Sequence, residues 1–171
     1  MLNAICKVYL TVIRGTPVVV QLLIIYFVVF GSVRVDKVIV AILAFGVNSG
    51  AYVAEIFRSG IMSIDPGQME AGRAVGLSFS VTMIKIVIPQ AVKNILPTLG
   101  NEFIALVKET SVVSFVGAAD LYVAFNYIGT NSYEFMVPYL VMALIYIVIV
   151  LLISLGIKLM ERSLKKSDRR N

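Results

Sequence analysis

Carboxylates inside otherwise apolar stretches are the first residues in this sequence able to do chemistry. Glu55 lies in the run Tyr52-x-Ala54-Glu55-Ile56-x-Arg58-x-Gly60-Ile61, and Glu102 in Gly100-Asn101-Glu102-Phe103-Ile104. An ionised group at membrane depth is costly and ordinarily faces protein or water, and its charge suits a cationic or zwitterionic ligand. Asn48, Tyr52, Glu55 and Ser59 recur at helical spacing and form one polar stripe, while Asn94, Thr98, Asn101 and Lys108 line a second, with Glu102 beside it. The candidates for a ligand path are therefore Glu102, Asn101, Thr98, Glu55 and Tyr52. The competing role is structural: hydrogen bonding between helices, or a Glu55 to Arg58 pair near a helix end. Other chemistries lack their residues. With no histidine and the single cysteine Cys6, an internal disulfide is excluded, and a zinc site or a histidine-based triad is disfavoured. No Walker motif occurs, so ATP hydrolysis and its Mg²⁺ chemistry do not belong to this chain.

The elements that must position these residues are membrane helices. Of 171 residues, 59% are hydrophobic and 15% charged, with a mean hydropathy of +0.93, too little polar surface to cover a soluble domain of this size. The formal charge of +5 comes from basic residues scattered at segment ends rather than gathered on one face, which argues against nucleic acid as a partner. Crossing a hydrocarbon core of about 30 Å takes about 20 apolar residues. Four spans are predicted: Gly15 to Val33 with Pro17 at its start, Val38 to Ala54 continuing towards Arg58, Val92 to Val116, and Phe135 to Ile157. Lys7 and Arg14 interrupt the opening stretch, which reads as structure rather than as a secretory signal. Gly46 and Gly50 make a weak GxxxG pair, and Tyr122, Phe125 and Tyr127 read as an interfacial aromatic belt.

Between the second and third spans, residues 63–90 are too polar to cross lipid and too patterned for a plain loop. Asp65 is placed to cap a helix with Pro66 at its first position, the helix running from about Gly67 to Val75. Gly76 is predicted to end it through a positive φ, and Pro89 to break whatever begins at Ser78. The segment thus reads as two short amphipathic helices at the membrane surface. Putting both termini and this segment on one side gathers there Lys7 and Arg14, then Arg58, Arg73, Lys85 and Lys93, then Lys158, Arg162, Lys165, Lys166, Arg169 and Arg170. Only Arg34, Lys37 and Lys108 fall on the other side, so the side rich in Lys and Arg is expected to be cytoplasmic. The basic tail, 161–171, is expected to be a frayed helix end that touches anionic lipid.

Glu70-Ala71-Gly72, three residues, Gly76, nine residues and Ile86-Val87-Ile88-Pro89 resemble the EAA motif of ABC importer permeases, Glu-Ala-Ala, three residues, Gly, nine residues, Ile-x-Leu-Pro. Gly72 and Ile88 depart from it within the same size class. Arg14-Gly15-Thr16-Pro17 with Gln21, the Tyr52 to Ile61 run, Pro89-Gln90-Ala91, Pro97, Gly100 to Ile104 and Lys108-Glu109-Thr110-Ser111 are similar, in order and spacing, to the polar amino acid uptake subfamily.

That resemblance implies an all-α, polytopic type I transmembrane domain over 1–160 with a cytoplasmic coupling helix within 63–90. It implies that Glu70, Ala71, Gly72, Ala74, Gly76 and Pro89 meet an ATP-hydrolysing subunit. Glu70 would bond backbone amides or a basic residue there, and the small residues would keep the helix thin. The implied assembly is a second permease subunit, identical or paralogous, two ATP-binding cassette subunits and an extracytoplasmic substrate-binding protein, working by alternating access in the cytoplasmic membrane. Family members generally carry a further span before the RGTP stretch, so an incomplete N-terminus is expected. An ATP-independent carrier or channel, or a non-transporting scaffold, is the rival reading.

Overall fold

A computed structural model describes residues 1–168; nothing is described of the side chains of Leu2 and residues 163–168. Lys165 and Lys166 of the expected basic tail are among the latter, and Arg169 and Arg170 lie outside the described residues. The elements are helices throughout the described chain: α1 Leu2–Gly15, α2 Val18–Leu23 widening into a π-helical stretch Ile24–Val29, α3 Lys37–Met62, α4 Pro66–Ala74, α5 Phe79–Thr82, α6 Ile88–Glu109, α7 Leu121–Ser132 and α8 Met136–Asp168. A π-helical turn, Met83–Val87, joins α5 to α6, and a 3₁₀ stretch, Thr110–Val116, follows α6.

Lys37–Met62, Phe79–Val116 and Met136–Arg162 are long and apolar enough to cross a membrane. The pair Asn3–Gly15 and Val18–Val29 passes the same test only as a bent unit, turning by 107°. The expected span Gly15 to Val33 is represented by the helical run Val18–Val29, joined to α1 across this bend. Pro17 brings no N–H and pushes Thr16 into extended backbone (φ −123°, ψ 144°), which ends α1 and restarts the helix at Val18 in a new direction. The third span is corrected. It begins at Phe79, not near Val92, and Pro89 does not break it. The N–H of Ile88 reaches back five residues to the carbonyl of Met83, and this wider turn makes room for the ring where an α-helix would clash. Two surface helices therefore reduce to one, α4, with the second forming the base of a span. Helix α7, which carries the three aromatic residues assigned to an interfacial belt, lies where a connection was expected.

Two compact units divide the chain: Met1–Tyr52 with Phe103–Ser154, and Val53–Glu102 with the chain from Leu155. In the first, Leu22, Ala41, Ala44, Phe45, Val116 and Ala118 form a buried cluster. The Lys37 ammonium donates to the carbonyl of Gly117 (3.1 Å) at the end of the 3₁₀ stretch, where a cation meets the negative end of the helix. In the second, close approach depends on absent side chains. A Cβ on Gly60 would overlap Ile95, and one on Gly100 would stand 2.7 Å from Ile157 Cγ2. Within the span Met136–Arg162 an 18-residue stretch has mean hydropathy 3.1 and none of its residues buried, the surface of a helix solvated by lipid or covered by another membrane subunit.

Candidate functional site

Helix α4 is built by local chemistry at both ends. Asp65 Oδ1 accepts from the N–H of Gly67 at 2.8 Å, and Pro66 fills the first position, where its missing N–H costs nothing. At the other end Gly76 adopts φ +89°. Its N–H reaches the carbonyl of Arg73 (3.0 Å) and the N–H of Leu77 reaches that of Gly72 (3.1 Å), the paired bonds of a Schellman ending. A side chain at Gly76 would meet nothing within 4 Å, so the glycine is needed for its backbone angle and not for space. The next helix starts at once, with Ser78 Oγ accepting from Val81 N.

The residues expected to meet a partner divide between the two faces of this helix. Glu70, Ala71 and Ala74 are exposed. Gly72 is buried and faces inward: a Cβ there would overlap the Thr82 methyl and stand 2.8 Å from its hydroxyl. The expectation that Gly72 thins the partner-facing surface is corrected accordingly, since it thins the surface against α5. On either side of Gly76 an exposed apolar rim runs through Val75, Leu77, Phe79 and Val81, with Val75 76% exposed. Pro89 lies outside the knob, in the first turn of α6.

The intramembrane polar residues are distributed as follows. On α3, Asn48 is 4% exposed and its amide donates to Gln21 Oε1 at 3.0 Å. Tyr52 has the Arg14 guanidinium 5.6 Å from its ring centre, within cation–π range. Glu55 pairs with Arg58, both of its oxygens accepting from the guanidinium. On α6, Thr98 and Asn101 are exposed and Glu102 half-buried at spacings of three and four, forming a polar strip on one helix face. The Thr98 hydroxyl is turned to its own helix, towards the carbonyl of Asn94 (3.4 Å).

Gln21, which the sequence marks only as part of the Arg14-Gly15-Thr16-Pro17 run, holds the bend together. Its Nε2 donates to the carbonyls of Ile13 (2.7 Å) and Thr16 (3.1 Å) and to Thr16 Oγ1 (2.8 Å), satisfying the end of α1 at the bend. It is 7% exposed. The Arg14-Gly15-Thr16-Pro17-xxx-Gln21 stretch is therefore a self-capping bend, tied to α3 through Asn48.

Comparison with known proteins gives this arrangement a context. Residues 1–166 match the family model described as binding-protein-dependent transport system inner membrane component. The chain is 40% identical over 162 residues to the arginine transport system permease protein ArtQ of Bacillus subtilis (strain 168), covering 94% of this chain and 74% of that one. It is 37% identical over 166 residues to the glutamine transport system permease protein GlnP of Escherichia coli (strain K12), covering 95% and 76%. Among solved structures it resembles one described as the crystal structure of an amino acid ABC transporter with histidines, at TM-score 0.84 and 45% identity, covering 92% of this chain and 74% of that one. The MetNI methionine ABC transporter, at 21% identity and TM-score 0.72, shares the fold.

Proposed function

Because this chain belongs to the family of binding-protein-dependent transport system inner membrane components, we propose that it is the permease subunit of an ATP-driven importer of polar amino acids. The observation that carries the coupling mechanism is α4, a short helix capped at both ends between two membrane spans, with Glu70, Ala71, Ala74 and an apolar rim left exposed. Such a compact knob suits a groove in a partner subunit, and ATP-driven movement of that partner would reach the spans through it. The permease relatives named for arginine and glutamine transport support the substrate class.

In this reading the chain works as one of a pair of permease subunits, with two ATP-binding cassette subunits that bind ATP and Mg²⁺, and with an extracytoplasmic binding protein that sets most of the specificity. The knob and both termini face the cytoplasm, in line with the Lys and Arg distribution. Thr98, Asn101 and Glu102 contribute to the translocation path, and alternating access moves the opening from one side to the other. Glu55 and Tyr52 are already engaged, by Arg58 within α3 and by Arg14 at the end of α1.

The test is reconstitution of the chain with its ATP-binding cassette subunits and binding protein in proteoliposomes, following uptake of labelled arginine and glutamine. Wild type is expected to need ATP and the binding protein. Glu70→Lys, a charge reversal on the exposed face of α4, is expected to lose the ATPase on co-purification and to lower uptake about tenfold or more, as loss of an interfacial charge contact does. Uptake that continues without ATP, or that survives Glu70→Lys unchanged while Glu102→Gln abolishes it, would instead indicate a carrier that works without an ATPase.

A further inference from the structure

Four pairings run in antiparallel order through residues 60–95. Gly60 lies against Ile95, at a distance where a Cβ would overlap the isoleucine. Ser63 Oγ accepts from the Asn94 amide at 2.9 Å. Gln90 Nε2 donates to Gln68 Oε1 at 3.2 Å and to the carbonyl of Ile86 at 2.8 Å, inside the π-helical turn. Gly72 lies against Thr82, which is fully buried and donates its hydroxyl to the carbonyl of Ser78 at 3.0 Å. The separation along the chain narrows from one pair to the next towards the Gly76 turn, so the end of α3, α4, α5 and the start of α6 close on one another as a zipper. The connection between α4 and the third span is therefore closely packed, and not a slack loop.

Resting on the coupling reading above, we propose that Thr82 is a positioning residue which, seated in the space left by Gly72, locks α4 to the base of the third span. Movement of α4 is then delivered to the Phe79–Val116 helix without loss. The physical basis is close packing: interiors have low compressibility and transmit displacement, whereas a gap or an alternative packing absorbs it. Thr82 suits this place because it fills the gap with a methyl and satisfies its own hydroxyl locally, so that it adds no unpaired polar group.

The experiment compares wild type, Gly72→Ala and the double variant Gly72→Ala/Thr82→Ala in the complete reconstituted transporter, reading uptake per ATP hydrolysed. The added Cβ should displace α4 and lower that ratio about tenfold, within the range that overpacking a tight contact produces. Removing the Thr82 methyl and hydroxyl should restore most of it. A ratio unchanged by Gly72→Ala, or a double variant no better than the single one, overturns the clamp.

A second measurement does not depend on the folding of those variants. Spin labels at Arg73 and Lys85, both exposed, in a Cys6→Ser background, should keep one distance in the nucleotide-free and ATP-bound transporter. A distance that changes between the two states also overturns the clamp. Failure of wild type to retain the ATPase sinks the coupling reading itself. A retained ATPase with unaltered uptake per ATP in Gly72→Ala sinks only the clamp.

Discussion

Gly76→Pro is expected to abolish ATP-coupled uptake, with the membrane spans still inserted. Gly76 stands at φ +89°, whereas proline holds φ near −65°, and its N–H donates to the Arg73 carbonyl, a bond proline cannot make. Both ends of the Schellman turn fail together, and α4 loses the reversal that presents it between the spans. A misplaced proline costs about 3 kcal/mol or more. The effect is graded by backbone conformation, because a side chain at this position meets open space. Gly76→Asn should be the mildest change, since asparagine tolerates the left-handed region. Gly76→Ala should be intermediate, at about 1–2 kcal/mol, and Gly76→Val worse. Uptake and ATPase co-purification measured across this series should fall in that order. Wild-type uptake by Gly76→Pro would show that the end of α4 has no part in coupling.

The second large effect is expected at Gln21. One amide satisfies the end of α1 at Ile13 and Thr16 and accepts from Asn48 on α3, and Gln21 itself is 7% exposed. Gln21→Leu removes the partner of the half-buried Ile13 carbonyl and of the buried Asn48 amide, at about 1–3 kcal/mol per orphaned group. A total near 3 kcal/mol corresponds to a fall of roughly 6–12 °C in the midpoint of thermal unfolding for a chain of this length. Gln21→Glu should be worse, because it sets a carboxylate against carbonyl oxygens where the donor had been. Adding Asn48→Leu to Gln21→Leu should cost less than the sum of the single changes, since it removes one of the orphaned partners. Thermal unfolding of the detergent-solubilised chain reads all three. An unchanged midpoint for Gln21→Glu would mean that the bend at Pro17 is held by other contacts.

The clearest successes of sequence reading are features carried by neighbouring residues. Asp65, Pro66 and Gly76 marked α4 to within a residue or so of its observed ends, because capping depends on side chains and backbone groups a few positions apart. The apolar runs located the second and fourth spans, because bilayer thickness sets a length that hydropathy reports directly. The Glu70 to Pro89 spacing, with the flanking runs, pointed to the family that residues 1–166 match.

What the sequence could not show are pairings between distant positions. Nothing around Thr82 marks it, and Gly72 looked outward-facing by analogy, yet the two meet because α5 folds back on α4. Gln21 and Asn48 belong to separate elements, and only packing of α3 against the bend shows that one satisfies the other. Pro89 reads locally as a helix breaker because the local rule assumes α-helical bonding, and a single π-helical turn ahead of it removes the conflict. A membrane chain with a capped, glycine-ended helix between spans is written in the residue order, since those features rest on local bonding and on hydropathy summed along the chain. The bend at Pro17 and the seating of Thr82 against Gly72 emerge with the folded chain, because contacts between distant residues are chosen by close packing.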